Sequence, residues 1–151
     1  MKYSVVCADP AWSFGDKLPG KSRGAEKNYS VMTVEDICFM GTSRIQGDPT
    51  MLEMCGQFFE LADDALLFLW RVSSQVEEAY RVVRAWGFVP KSEIVWNKLT
   101  ATGLPWFGMG RYVRASHETC VVAARGKAIP LIQCRSRGCT PEEVLSAVGL
   151  Q

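Results

Sequence analysis

Histidine is almost missing from this chain, and cysteine is never clustered. His117 is the single imidazole, and Cys7, Cys38, Cys55, Cys120, Cys134 and Cys139 contain no CxxC pair. Tetrahedral zinc sites are assembled from closely spaced ligand pairs, so this distribution argues against one. Cys7 and Cys120 lie inside apolar runs and read as buried small hydrophobes, as expected of a reducing compartment. No apolar run approaches the roughly 18 residues of a membrane span, and the N-terminus has no apolar core of a signal peptide. The expectation is a soluble, cytoplasmic protein without a membrane partner. Acidic residues are scarce in one region only: Thr100 to Cys139 carries six basic residues and a single acid, Glu118. The net charge of +1 hides this asymmetry, which marks the second half as a candidate basic surface.

What is present suits one α/β domain, since 151 residues at 48% hydrophobic content support a single core. Tyr3 to Ala8 is an apolar run ending at Asp9-Pro10, the pattern of a buried strand entering a loop. Ser13 to Asn28, with three glycines and four cations, reads as a surface loop. Thr33 with Asp36 three residues on, and Thr50 before Met51, Met54, Cys55, Phe58 and Phe59, predict two helices. Ala65 to Trp70 predicts a strand. Ser74 and Glu77 form a capping-box pattern ahead of Val76, Ala79, Tyr80, Val83 and Trp86 at helical spacing, with Gly87 as the stop. Phe88 to Lys98 and His117 to Arg125 predict two further strands, the second with a buried centre from Thr119 to Ala124. Strands alternating with helices point to a mostly parallel sheet, which binds ligands at its carboxyl edge. The tail offers a helix start at Thr140-Pro141.

Chemistry is concentrated at that edge, in Asp9-Pro10-Ala11-Trp12. A carboxylate and a backbone carbonyl side by side can accept both hydrogens of an amino group, and an adjacent tryptophan can stack on a planar base. A strand-end turn beside a core tryptophan has the same sequence, and the tetrapeptide alone leaves both open. Trp96 reads as core, with Asn97 and Lys98 turned to the cleft. Gly108-Met109-Gly110 is no dinucleotide fingerprint, because no strand leads into it and no helix follows, and reads as a flexible gate. Glu118 reads either as a strand-edge pair with His117 or as an orienting group.

The order of segments extends this. Tyr3 to Trp12, Tyr29-Ser30-Val31-Met32, Asp63 to Trp70, Ala85-Trp86-Gly87-Phe88, Glu93 to Lys98, and Gly108-x-Gly110 followed by Arg114, His117-Glu118 and Gly126-Lys127 resemble the N6-adenine methyltransferases with an Asp-Pro-Pro-Trp motif. That family includes messenger-RNA adenosine methyltransferases and phage and bacterial DNA methyltransferases. The resemblance implies a permuted Rossmann-like fold using S-adenosyl-L-methionine, with the DNA branch favoured by the compact start. Asp9, Pro10 and Trp12 would be catalytic, with Asp9 and Pro10 holding the adenine amine and Trp12 stacking on the extruded base. Ala8 and Asp9 would lie near the cofactor. Nucleic acid would be met by Trp12, by Lys17, Lys21, Arg23, Lys27 and Tyr29 in a gate over the site, and by Lys98, Arg111 and Arg114. Ala11 departs from the family's second proline, which loses a rigid φ and keeps the Pro10 carbonyl.

The match ends near Arg137, so residues 1–137 read as a partial methyltransferase domain and 138–151 as a divergent tail. The Leu-Phe-Ala/Gly-Arg and Gly-Asn-Glu/Gln segments that complete the family's cofactor pocket, with their strand and helix, are not found there. The expectation that follows is weak cofactor binding by this chain. A catalytically inactive nucleic-acid-binding or scaffold subunit, an RNA adenine methyltransferase and a cytosine N4 methyltransferase remain alternatives, as does a homo- or hetero-oligomer.

Overall fold

The computed structural model describes residues 2–13, 30–40, 60–108 and 112–127. They form β1 (Lys2–Ala8), α1 (Val34–Met40), β2 (Glu60–Arg71), α2 (Val76–Ala85), β3 (Val89–Asn97) and β4 (His117–Arg125). The sheet order is β1-β2-β4-β3, with β1 parallel to β2 and β4 antiparallel to both its neighbours. Three strands therefore share one direction and β4 opposes them. The sheet is mixed rather than mostly parallel, because β4 follows β3 through a loop without a crossover helix, the connection that suits antiparallel neighbours. The carboxyl ends of β1, β2 and β3 meet the start of β4 at one edge.

Strand alternation divides the side chains between two faces. Val6 and Ala8, Leu67 and Leu69, and Val121 and Ala123 face one side, where they pack with Ile37 of α1 and Ala79, Val82 and Val83 of α2. Burial of each of Ile37, Leu67, Leu69, Val82, Val83 and Val121, which are fully enclosed, stabilises the fold by about 1.5 to 3 kcal/mol. The opposite face gathers Val5, Leu66, Phe68, Trp70, Ile94, Cys120 and Val122. Apolarity on both faces explains why the Ala65 to Trp70 and Thr119 to Ala124 runs read as continuous rather than alternating.

Both described helices end as local chemistry dictates, with one departure. At α1 the Thr33 hydroxyl accepts the Asp36 backbone N–H (3.1 Å) while the Asp36 carboxylate accepts the Thr33 backbone N–H (3.2 Å), a reciprocal capping box. At the end of α2, Gly87 takes φ +80°, its N–H bonds the Arg84 carbonyl and that of Phe88 bonds Val83, a Schellman stop. The expected Ser74/Glu77 box does not form: the N-cap is Gln75, whose side chain makes no cap bond. Glu77 and Glu78 in the first turn complement the helix dipole instead. The helix expected after Thr50, the Ser13 to Asn28 loop beyond Ser13 itself, and the tail helix lie outside the described residues. Among those described, no helix is long and apolar enough to cross a membrane.

Candidate active site at the carboxyl edge of the sheet

β1 delivers Asp9 to the edge, and a set of backbone bonds fixes the turn that follows. The Trp12 N–H reaches back to the Pro10 carbonyl (2.8 Å), Met32 N–H donates to the Ala11 carbonyl (2.8 Å), and Ser13 N–H donates to the Met32 carbonyl (3.2 Å). Gln75 adds a side-chain tie, its amide donating to the Ser13 carbonyl at 2.5 Å. The Asp-Pro-Ala-Trp turn is thus held by the segment before α1 and by the start of α2. The loss of a second proline at Ala11 is offset by these bonds, which restrain the same backbone.

Trp12 occupies a place different from the one its motif suggests. It is only 3% exposed, belongs to the core beneath α1 and α2, and donates its indole N–H to the Trp70 carbonyl at 3.0 Å. A ring so enclosed offers no face to a base. The stacking role is therefore corrected: Trp12 anchors the turn that presents Asp9. Pro10, by contrast, keeps an acceptor, since its carbonyl oxygen has two lone pairs and Trp12 uses one.

Asp9 reaches solvent, yet its carboxyl is held above the ordinary value near 3.8. Partial burial is the main cause, the Glu118 carboxylate adds to it, and Lys98 opposes it. Those two residues come from the start of β4 and the residue after β3, and they form an ion pair with each other. Lys98 also lies 5.4 Å from the centre of the Trp96 ring. Glu118 is thus no pair with His117, and its partner is the cation at the mouth of the site. Lys98 faces the edge, as its sequence position suggests. Ala8 packs towards the helices, opposite in parity to Asp9.

Other expectations on this edge change or fall elsewhere. Trp96 is 51% exposed rather than core, touching Trp70 edge to face at 6.0 Å. Strand parity holds the signal: Trp96 shares a face with Ile94 but lies at the strand's end, beyond the covered part of the sheet. Cys7 is exposed, against expectation, because β1 lies at the margin of the described sheet, whereas Cys120 is fully buried and its thiol is pushed up to about 12 by desolvation. Gly108 packs so closely against the Ala115 carbonyl oxygen that no room is left for a Cβ. Arg114 lies over the Phe107 ring at 4.6 Å. Lys17, Lys21, Arg23, Lys27, Tyr29 and Arg111 lie outside the described residues, as do Met109 and Gly110. No sequence motif points to Gln75, and the Glu93 to Lys98 segment gives no role to Glu93 itself, which binds Arg71 (3.0 Å) and Tyr80 (3.3 Å) beneath the same edge.

Comparison with known proteins bears on this geometry. The family model described as MT-A70 matches residues 57–146. The chain is 28% identical over 130 residues to the type II methyltransferase M.MunI of a Mycoplasma species, covering 83% of this chain and 52% of that protein. It is 24% identical over 131 residues to the N(6)-adenosine-methyltransferase MT-A70-like protein of Drosophila melanogaster and to the human N(6)-adenosine-methyltransferase catalytic subunit METTL3. Those alignments cover 83% of this chain and 17% and 18% of the relatives. The chain therefore spans about half the length of the bacterial relative and less than a fifth of the animal ones.

Proposed function

The chain belongs to the MT-A70 family, whose methyltransferases use S-adenosylmethionine, and we propose that it takes part in methylating the N6 amino group of adenine in nucleic acid, with DNA as the substrate. The observation carrying this reading is the turn that presents Asp9 and the Pro10 carbonyl together at the carboxyl edge of the sheet. The preference for DNA follows the type II methyltransferase, the relative with the higher identity of those compared.

The site's donor set fits the proposed cofactor. Asp9 and Glu118 place two carboxylates against one lysine, a negative balance that favours a sulfonium. When bound, S-adenosylmethionine supplies an electrophilic methyl group. Adenine's exocyclic nitrogen is a poor nucleophile, because its lone pair is delocalised into the ring. Asp9 accepts one N–H and the Pro10 carbonyl the other, favouring a pyramidal nitrogen with its lone pair directed outward. The Asp9 carboxylate then receives the proton that the nitrogen sheds, and its raised pKa suits that task. Arg114 and Arg111, with Lys17, Lys21, Arg23 and Lys27, carry the phosphates in this reading, and Lys98, paired with Glu118, meets the strand at the mouth of the site.

Matched DNA and RNA oligonucleotides, incubated with protein and cofactor and digested to nucleosides, test it. The reading expects N6-methyladenine, formed faster in DNA. Methylcytosine as the sole product would overturn it.

A further inference from the structure

Two half-exposed tryptophans flank the residue that neighbours Asp9, and the proposed methylation does not account for them. Trp96 is the penultimate residue of β3, and a tight turn brings Trp106 to its side. Gly103 N–H donates to the Thr100 carbonyl (2.9 Å), Thr100 N–H to that of Leu104 (2.8 Å), and Trp106 N–H to that of Lys98 (2.8 Å). Gly103 adopts φ +79°, which the turn requires. Trp96, Lys98, Leu99 and Trp106 line an open groove of about 360 Å³. Trp96 is 51% exposed and Trp106 52%, so each presents a ring to solvent.

Two large aromatic rings that share one accessible groove fit a binding surface. Their surroundings define what binds. Between Leu99 and His117 the chain has two arginines and no acidic residue, and Arg114 lies against the ring of Phe107, the residue that follows Trp106. Lys98 within the groove is paired with Glu118, so the aromatic faces and the arginines of the acid-free stretch after it carry the match, which is to a polymer of flat rings joined by anions, an unpaired nucleic-acid strand. Lys98 belongs both to this groove and to the electrostatic surroundings of Asp9, so a strand whose target base reaches Asp9 passes the groove with its neighbour.

We propose that the Trp96/Trp106 groove is a stacking subsite for an unpaired base flanking the target, with Arg114 on the adjoining phosphate. The inference rests on the methylation reading for the identity of the target base and on the groove alone for stacking. It makes the substrate a locally unstacked strand.

The test is a set of short single-stranded DNA oligonucleotides with one adenine and 2-aminopurine at successive flanking positions, mixed with the purified 151-residue protein without cofactor. Stacking quenches 2-aminopurine at one flanking position, and Trp96→Ala and Trp106→Ala each relieve it and weaken binding about tenfold. Trp106→Phe, which keeps a ring, restores most of both. Because these side chains are half exposed, circular dichroism of each variant is expected to match the parent. Quenching that persists in a protein unable to methylate adenine upholds the subsite while the methylation reading falls. Failure to bind any oligonucleotide, or adenine methylation and binding both unaffected by the alanine variants, overturns the subsite. Self-association that the same variants abolish, with DNA binding unchanged, also overturns it and assigns the groove to a contact between copies.

Discussion

Replacing Trp12 distinguishes an anchor from a stacking platform. The indole is 3% exposed and its N–H bonds the Trp70 carbonyl at 3.0 Å, so Trp12→Ala removes both a large packed ring and a buried bond. Truncation of a buried tryptophan costs about 3 to 5 kcal/mol, and stranding the Trp70 carbonyl adds roughly 1 kcal/mol or more. Trp12→Phe keeps most of the ring and loses mainly the bond, so its cost is about 1 to 2 kcal/mol. With a urea slope of about 2 kcal/mol per molar, the alanine variant unfolds at a midpoint about 2 to 3 M lower and the phenylalanine variant about 0.5 to 1 M lower. Urea titration followed by circular dichroism measures both. An unchanged midpoint for Trp12→Ala together with lost nucleic-acid binding would refute the anchoring role and restore the stacking one.

Three other outcomes follow from particular groups. Because the folded state raises the Asp9 pKa above 3.8, the fold binds that proton more tightly than the unfolded chain. Its favourable contribution is present at low pH and lost as pH rises through the raised value, so Asp9→Asn gains stability relative to the parent from about pH 4 towards neutrality; denaturation across that range checks it, and a flat difference contradicts it. Thr33→Ala breaks the capping box and lowers stability by about 0.5 to 2 kcal/mol, read from the same titration. Neutralising Lys17, Lys21, Arg23 and Lys27 together reduces the slope of log affinity against log salt by about 0.7 to 0.9 for each phosphate these cations had neutralised, whereas an unaltered slope leaves them as solvated surface.

Much of this architecture is legible in the sequence because it is written in short-range chemistry. Thr33 and Asp36 specify a cap, Gly87 specifies a stop, and continuous apolar runs specify strands covered on both sides. The direction of β4 is written only in its helix-free connection from β3, which suits an antiparallel neighbour, while its pairing with β2 is recorded by no local residue. The Asp9 motif is recognisable as a unit, yet the side of the turn on which Trp12 falls depends on space left by Ile37, Val82 and Trp70, which are 25 to 70 residues distant in the sequence. Trp96 misleads for the complementary reason: alternation gives its face, and only the end of the sheet shows that the face is uncovered there. Glu118 and Lys98 are 20 residues apart, and only the β3/β4 pairing brings them to the mouth of one site.

Whether Asp9 carries adenine methylation is decided most directly by the modified-base content of DNA from a host without adenine methylation that expresses either the parent protein or Asp9→Ala, digested to nucleosides and resolved by mass spectrometry. N6-methyladenine with the parent and none with Asp9→Ala, at equal levels of folded protein, is the predicted result. Undiminished N6-methyladenine with Asp9→Ala would contradict a methyl transfer centred on Asp9.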